Sequence, residues 1–170
     1  LALSYATTLL RERLAVSLAF DARMADVVRQ TKEPLIAQMR FAWWRDILAK
    51  PVGNRPAGEP LLQHLAALAD NAVAVDLTSI IDAWELLLSF DDNHDVILQH
   101  GRMRSDAIFS GFADIAEQRG DIKEYGSQWA IADLIVGNYA HWRSCITPLP
   151  LRFSRWWMGA GVVQVQPCAC

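Results

Sequence analysis

Five consecutive residues, Asp91-Asp92-Asn93-His94-Asp95, hold the densest set of potential metal ligands in the chain. Their order opens as a calcium loop does, D-x-N-x-D, a run that gathers hard oxygens around a divalent cation. The rest of such a loop is missing. Val96 stands where the turn needs glycine, and Arg102 stands where a bidentate glutamate closes the coordination shell. Carboxylates at a helix start are stabilised by its positive end without any ion, so the string reads first as a solvated acidic cap. The histidines His64, His94, His100 and His141 form no H-x-x-x-H pair, and no glutamate precedes one at metalloprotease spacing. Cys145, Cys168 and Cys170 offer no C-x-x-C pair, so no zinc site is expected. Nucleophile elbows, phosphate loops and dinucleotide fingerprints are absent from the sequence.

The elements that must position any chemistry are helical. Leu1 to about Gln30 reads as one long helix, with a stripe at Leu10, Leu14, Leu18, Ala25 and Val28. The next, Pro34–Leu48, begins with proline at the first helical position, where its missing N–H costs nothing. Leu35, Ile36, Met39, Ala42, Trp43 and Ile47 gather on one face, and Ala37, Phe41, Trp44 and Leu48 on another. A helix apolar on two sides is normally sandwiched, so this one is expected to be central, with Trp43 largely inaccessible. Arg40 and Asp46 lie in or beside the first stripe and need partners if buried.

Lys50–Pro60 is a proline- and glycine-rich surface loop. A helix over Leu61–Ala74 follows. Asp76 is then placed to cap a segment in which Ile80, Ile81, Trp84, Leu87 and Leu88 share a face. The acidic string opens another helix, through Val96, Ile97, Ile108 and Phe109 to about Arg119, where Gly101 or Gly111 could mark a kink. Gly120-Asp121 starts a last helix, Ile122–Cys145. No strand is predicted before Pro148, so the fold class is an all-α bundle. One helical domain over 1–147 and an irregular tail over 148–170 are expected.

Charge and hydropathy narrow the partners. A formal charge of −3 leaves no basic stripe for nucleic acid. No uncharged apolar run is long enough to span a bilayer, and Arg11-Glu12-Arg13 breaks the order of a signal peptide. A reducing cytoplasm is the simplest compartment, or the mitochondrial matrix for a eukaryotic chain, with peripheral membrane contact left open. Seven tryptophans must be placed in a core or around an apolar ligand. Trp129, Trp142, Phe109 and Phe112 could wall a tunnel for a prenyl or acyl chain, or be plain core.

Ala19-Phe20, followed by Asp26-Val27-Val28 and then EPLIAQMR-x-x-WWRDIL, resembles the squalene/phytoene synthase family. The match is strongest over Leu10–Leu48, and a weaker one covers QWAIADL at Gln128–Leu134. It looks closest to a divergent branch that includes a complex I assembly factor. The resemblance implies a shortened isoprenoid-synthase-like bundle. In active members a DD-x-x-D motif follows the alanine–phenylalanine pair, and a second motif faces it from a later helix. Their carboxylates hold Mg²⁺, which neutralises a diphosphate leaving group.

Carried onto this chain, the first motif is Ala25-Asp26-Val27-Val28-Arg29, in which only Asp26 remains. Arginine at position 29 repels a metal ion but can contact phosphate directly. Near the second motif, Asp133 stands without a paired carboxylate. The resemblance therefore implies a protein without prenyl transfer and without a cofactor, acting on an isoprenoid, a lipid phosphate or a client protein. Asp26, Arg29 and Arg23 would form the polar mouth, with an apolar tail directed toward Met24, Phe112 and Trp129. The alternative is an active, Mg²⁺-dependent transferase in which Asp26 acts with Asp91, Asp92 and Asp95.

Overall fold

A computed structural model describes residues 8–69, 77–89, 93–109 and 119–136, all taken up by helices and their joints with no strand among them. The order is α1 (Thr8–Gln30), α2 (Pro34–Ala49), α3 (Pro60–Ala69), α4 (Leu77–Glu85), α5 (His94–Phe109) and α6 (Arg119–Val136). A short 3₁₀ turn at Val52–Asn54 lies between α2 and α3, and α4 runs on as a 3₁₀ turn at Leu86–Ser89. The all-α expectation holds. Arg119 opens α6 rather than closing the helix before it. The tail over 148–170, Asp76 and Gly111 lie outside the described residues.

Helix α1 buries Val16, Phe20, Met24, Ala25 and Val27, an arc turned away from the expected leucine stripe. Leu14, Leu18 and Val28 pack only at its margin. Phe20 decides the rotation, because its ring meets Trp44 of α2 edge-on at 5.3 Å.

Helix α2 corrects the sequence reading. Pro34 does open it, after an extended Glu33, but only Ala37, Phe41, Trp44 and Ile47 are buried. Leu35 and Met39 are each 67% exposed, and Ile36 and Trp43 also face outward. Among the described residues the helix packs against α1, α4 and the 3₁₀ turn that follows α4 through this one face, so it sits at the edge of the described bundle, and Trp43 is not core. Its adjacent indoles meet edge-on, with Trp44 inside and Trp43 outside. Arg40 and Asp46 are exposed and need no buried partner.

The centre is α4 against α5. Ile80, Ile81, Trp84, Ile97 and Ile108 are all essentially inaccessible. Asn93 caps α5, its side-chain oxygen accepting from the Asp95 N–H at 2.9 Å. Gly101 makes close approach rather than a kink. A Cβ there would come within 2.7 Å of the Ile131 side chain on α6. Gly126 answers from α6, where a Cβ would meet Ser105 Oγ at 2.1 Å.

Candidate functional site

Two arrangements of charged side chains stand out, one inside the bundle and one on its surface. Inside, Arg104 of α5 is 2% exposed and directs its fork at Asp21 of α1, with Nε to Oδ1 at 2.8 Å and Nη2 to Oδ2 at 2.6 Å. The same Nη2 donates to Asp133 at 2.6 Å, and Nη1 donates to the Ala130 carbonyl at 3.1 Å. Its guanidinium carbon lies 4.8 Å from the ring centres of both Trp84 and Trp129. Trp84 Nε1–H donates to Asp21 Oδ1 at 2.7 Å. Burial alone would lower the Arg104 pKa, but the bonds and charges of Asp21 and Asp133 outweigh it and raise the pKa.

This cluster was hidden in plain stripes of the sequence. Asp21 lies one turn before Ala25, and Arg104 one turn after His100 and one before Ile108. All are positions of buried arcs. A charge in a buried arc must be paired, and each supplies the other's partner.

The surface arrangement is a groove of about 620 Å³ between α1 and α2. Arg23, Asp26, Val27 and Gln30 line it from α1, and Ile36, Met39, Arg40, Trp43 and Trp44 from α2. Glu59 closes one side. Arg23 Nη2 donates to Glu59 Oε2 at 3.4 Å, and both side chains remain partly open to solvent. Asp26 is ion-paired with Arg29 one turn on. Arg40 donates to Thr31 Oγ1 at 3.3 Å and meets no carboxylate among the described residues.

The sequence of residues 1–105, more than half of the chain, matches the model of the squalene/phytoene synthase family. The chain belongs to that family. No curated protein and no solved structure gave a match.

Within the squalene/phytoene synthase framework, the expected site residues that are described each have a definite place. Arg23 and Asp26 do meet at the groove, whereas Arg29 does not line it and pairs with Asp26. Met24 does not face a tail channel, because it points into the core with no exposure. Trp129 is absent from the groove. Its ring is occupied by Arg104 on one side and by Phe109, edge-on at 5.5 Å, on another. Asp95 is exposed in the first turn of α5, while Asp91, Asp92 and Phe112 lie outside the described residues.

The residues at the first motif do not suit the family's Mg²⁺. Mg²⁺ needs open carboxylate oxygens from more than one residue. Here Ala25 is buried with no donor atom, and the Asp26 carboxylate is claimed by the Arg29 guanidinium. Asp133, the remaining carboxylate of the second stretch, is bound by Arg104. Among the described residues, no three His, Cys, Asp or Glu side chains converge as a metal site. No described helix is long and apolar enough to cross a membrane.

The groove's chemistry is thus charged and aromatic, with Arg23 and Arg40 balanced by Asp26 and Glu59. Two arginines face a wall of Ile36, Met39 and Trp43, which suits a molecule with an anionic head and an apolar chain. The missed signals were Arg40, visible in sequence only as a stripe-edge charge, and Glu59, visible only as a loop residue before Pro60.

Proposed function

We propose that this member of the squalene/phytoene synthase family binds an anionic amphiphile, a prenyl or lipid phosphate, without metal and without transferring its chain. The observation that carries this reading is the Asp26–Arg29 pair at the position of the first metal motif. The Arg29 guanidinium there occupies the carboxylate a metal would need, while the groove's own Arg23 and Arg40 supply guanidinium groups, which hold phosphate oxygens by directed pairs of N–H bonds. Arg23 and Arg40 are the head-group contacts in the groove, with Met39 and Trp43 beneath the apolar chain. These replace the Arg29, Met24 and Trp129 contacts expected from the sequence.

Ionisation of an allylic diphosphate needs its leaving group held by cations at the moment of bond breaking. One paired carboxylate cannot organise that set. Incubation with Mg²⁺ and farnesyl or geranylgeranyl diphosphate is therefore expected to give no squalene, phytoene or pyrophosphate above background. Pyrophosphate release that disappears in Asp26→Asn would support the transferase reading instead.

A second reading has its own observation. Leu35, Met39 and Trp43 form an exposed apolar stripe at i, i+4 and i+8 along α2, the kind of row a partner helix or client protein uses. Client binding through this stripe would survive substitution of Arg23 and Arg40, whereas amphiphile binding would not.

A further inference from the structure

The groove lining already contains two carboxylates: Asp26 is paired with Arg29, and Glu59 is presented to Arg23 by a built loop. Glu59 follows Gly58, whose φ of +102° lies in the region open to glycine alone at little cost. The turn it makes delivers Glu59 as the residue before α3, where its carbonyl accepts from the N–H groups of Leu62 at 3.1 Å and Gln63 at 3.3 Å. Pro60 fixes the first helical position behind it. The other end of the loop is tied down by Arg55, which donates to the Leu48 carbonyl at 3.0 Å and to the Lys50 carbonyl at 3.1 Å. Glu59 is held at both sides and leans on Arg23 across the groove.

We propose that Glu59 is a resident competitor for Arg23, which an anionic head group must displace, so that it raises the threshold for every anion that enters the groove. This rests on the amphiphile-binding reading above. The contact is single, long at 3.4 Å and half open to water, so it is readily broken. A monoanionic carboxylate would exchange one such contact for an equivalent one and gain little. A dianionic phosphate brings more charge and can engage Arg23 and Arg40 together, which Glu59 cannot do from its fixed place. Preference for phosphate over carboxylate therefore comes from the groups that attract, Arg23 and Arg40, while Glu59 sets a threshold that both must pass.

The test is a titration of dodecyl phosphate and of dodecanoate, both below their micelle concentrations, with EDTA present and tryptophan emission recorded. Wild-type protein is expected to bind the phosphate and to bind the carboxylate more weakly. Glu59→Gln keeps the shape and the helix-capping carbonyl but removes the charge. It is expected to bind both probes about two- to five-fold more tightly, as befits loss of one exposed ion pair, with a gain for dodecyl phosphate at least as large as that for dodecanoate. Glu59→Asp keeps the charge but is too short for the contact as placed, and is expected to give a smaller gain of the same sign. Saturable binding by wild type that is unchanged in both variants would overturn the competitor role and leave the binding reading intact. No saturation with either probe in any of the proteins would overturn both. Helical circular dichroism equal to wild type checks that the variants are folded.

Discussion

Arg104 on α5 and Asp21 on α1 are joined by two parallel bonds, 2.8 and 2.6 Å long, although 83 residues separate them in sequence. Both are almost wholly inaccessible, so this pair staples the first helix to the centre of the bundle. A buried pair of this kind adds little over well-packed apolar residues, but losing one partner strands a charge. Asp21→Asn is expected to destabilise the fold by about 3–5 kcal/mol, measured by urea unfolding. Asp133→Asn should cost much less, since that carboxylate is half exposed and water can replace it.

His100 gives the fold an acid sensitivity. Burial pushes its pKa down to about 4, against the 6.5 of an exposed imidazole. Its Nδ1 pairs with the Ala83 carbonyl at 2.8 Å, and its Nε2 meets no partner among the described residues. The unfolded chain therefore takes up a proton at higher pH than the native one. Stability from this group is complete above pH 6.5 and falls as pH drops from 6.5 to about 4. The loss amounts to about 3 kcal/mol at its largest. Urea midpoints measured across that range should fall more steeply for wild type than for His100→Asn.

The two tryptophans of α2 are expected to respond in opposite ways. Trp44→Ala opens the core under Phe20 and should cost about 3–5 kcal/mol. Trp43→Ala removes a half-exposed ring and should change stability by about 1 kcal/mol or less. Equal losses in urea unfolding would mean that α2 is covered on both faces in solution.

This contrast shows what the sequence could and could not carry. The periodicity located every helix from α1 to α6, because amphipathic spacing is a local property of the chain. It gave α2 two apolar faces and could not say which one the bundle covers. That depends on α4, forty residues on, where Asp82 and Glu85 each receive the Arg45 guanidinium at 2.5 Å. The resemblance led to Asp26, which belongs to a local motif, and helical spacing led from it to Arg23 one turn before. Arg40 and Glu59 reach the groove through the α1–α2 crossing and the loop turn at Gly58, neither of which a linear pattern encodes.

The α5–α6 crossing supplies a further check. A methyl group at Gly126 would collide with Ser105 Oγ, so Gly126→Ala is expected to cost about 1–3 kcal/mol despite its better helix propensity. Thermal unfolding followed by circular dichroism would show it. A gain in melting temperature would indicate that the two helices are not closely packed there.

The central claim is metal-free capture of an anionic amphiphile by Arg23 and Arg40 beside Trp43. The most direct measurement is a titration with farnesyl phosphate in EDTA, following tryptophan emission in wild type, Arg23→Ala and Arg40→Ala. A saturable blue shift, unchanged by added Mg²⁺ and weakened about tenfold or more by each substitution, is the predicted result, since each removes a charge-assisted contact. A shift that appears only with Mg²⁺, or one that both substitutions leave untouched, would contradict it.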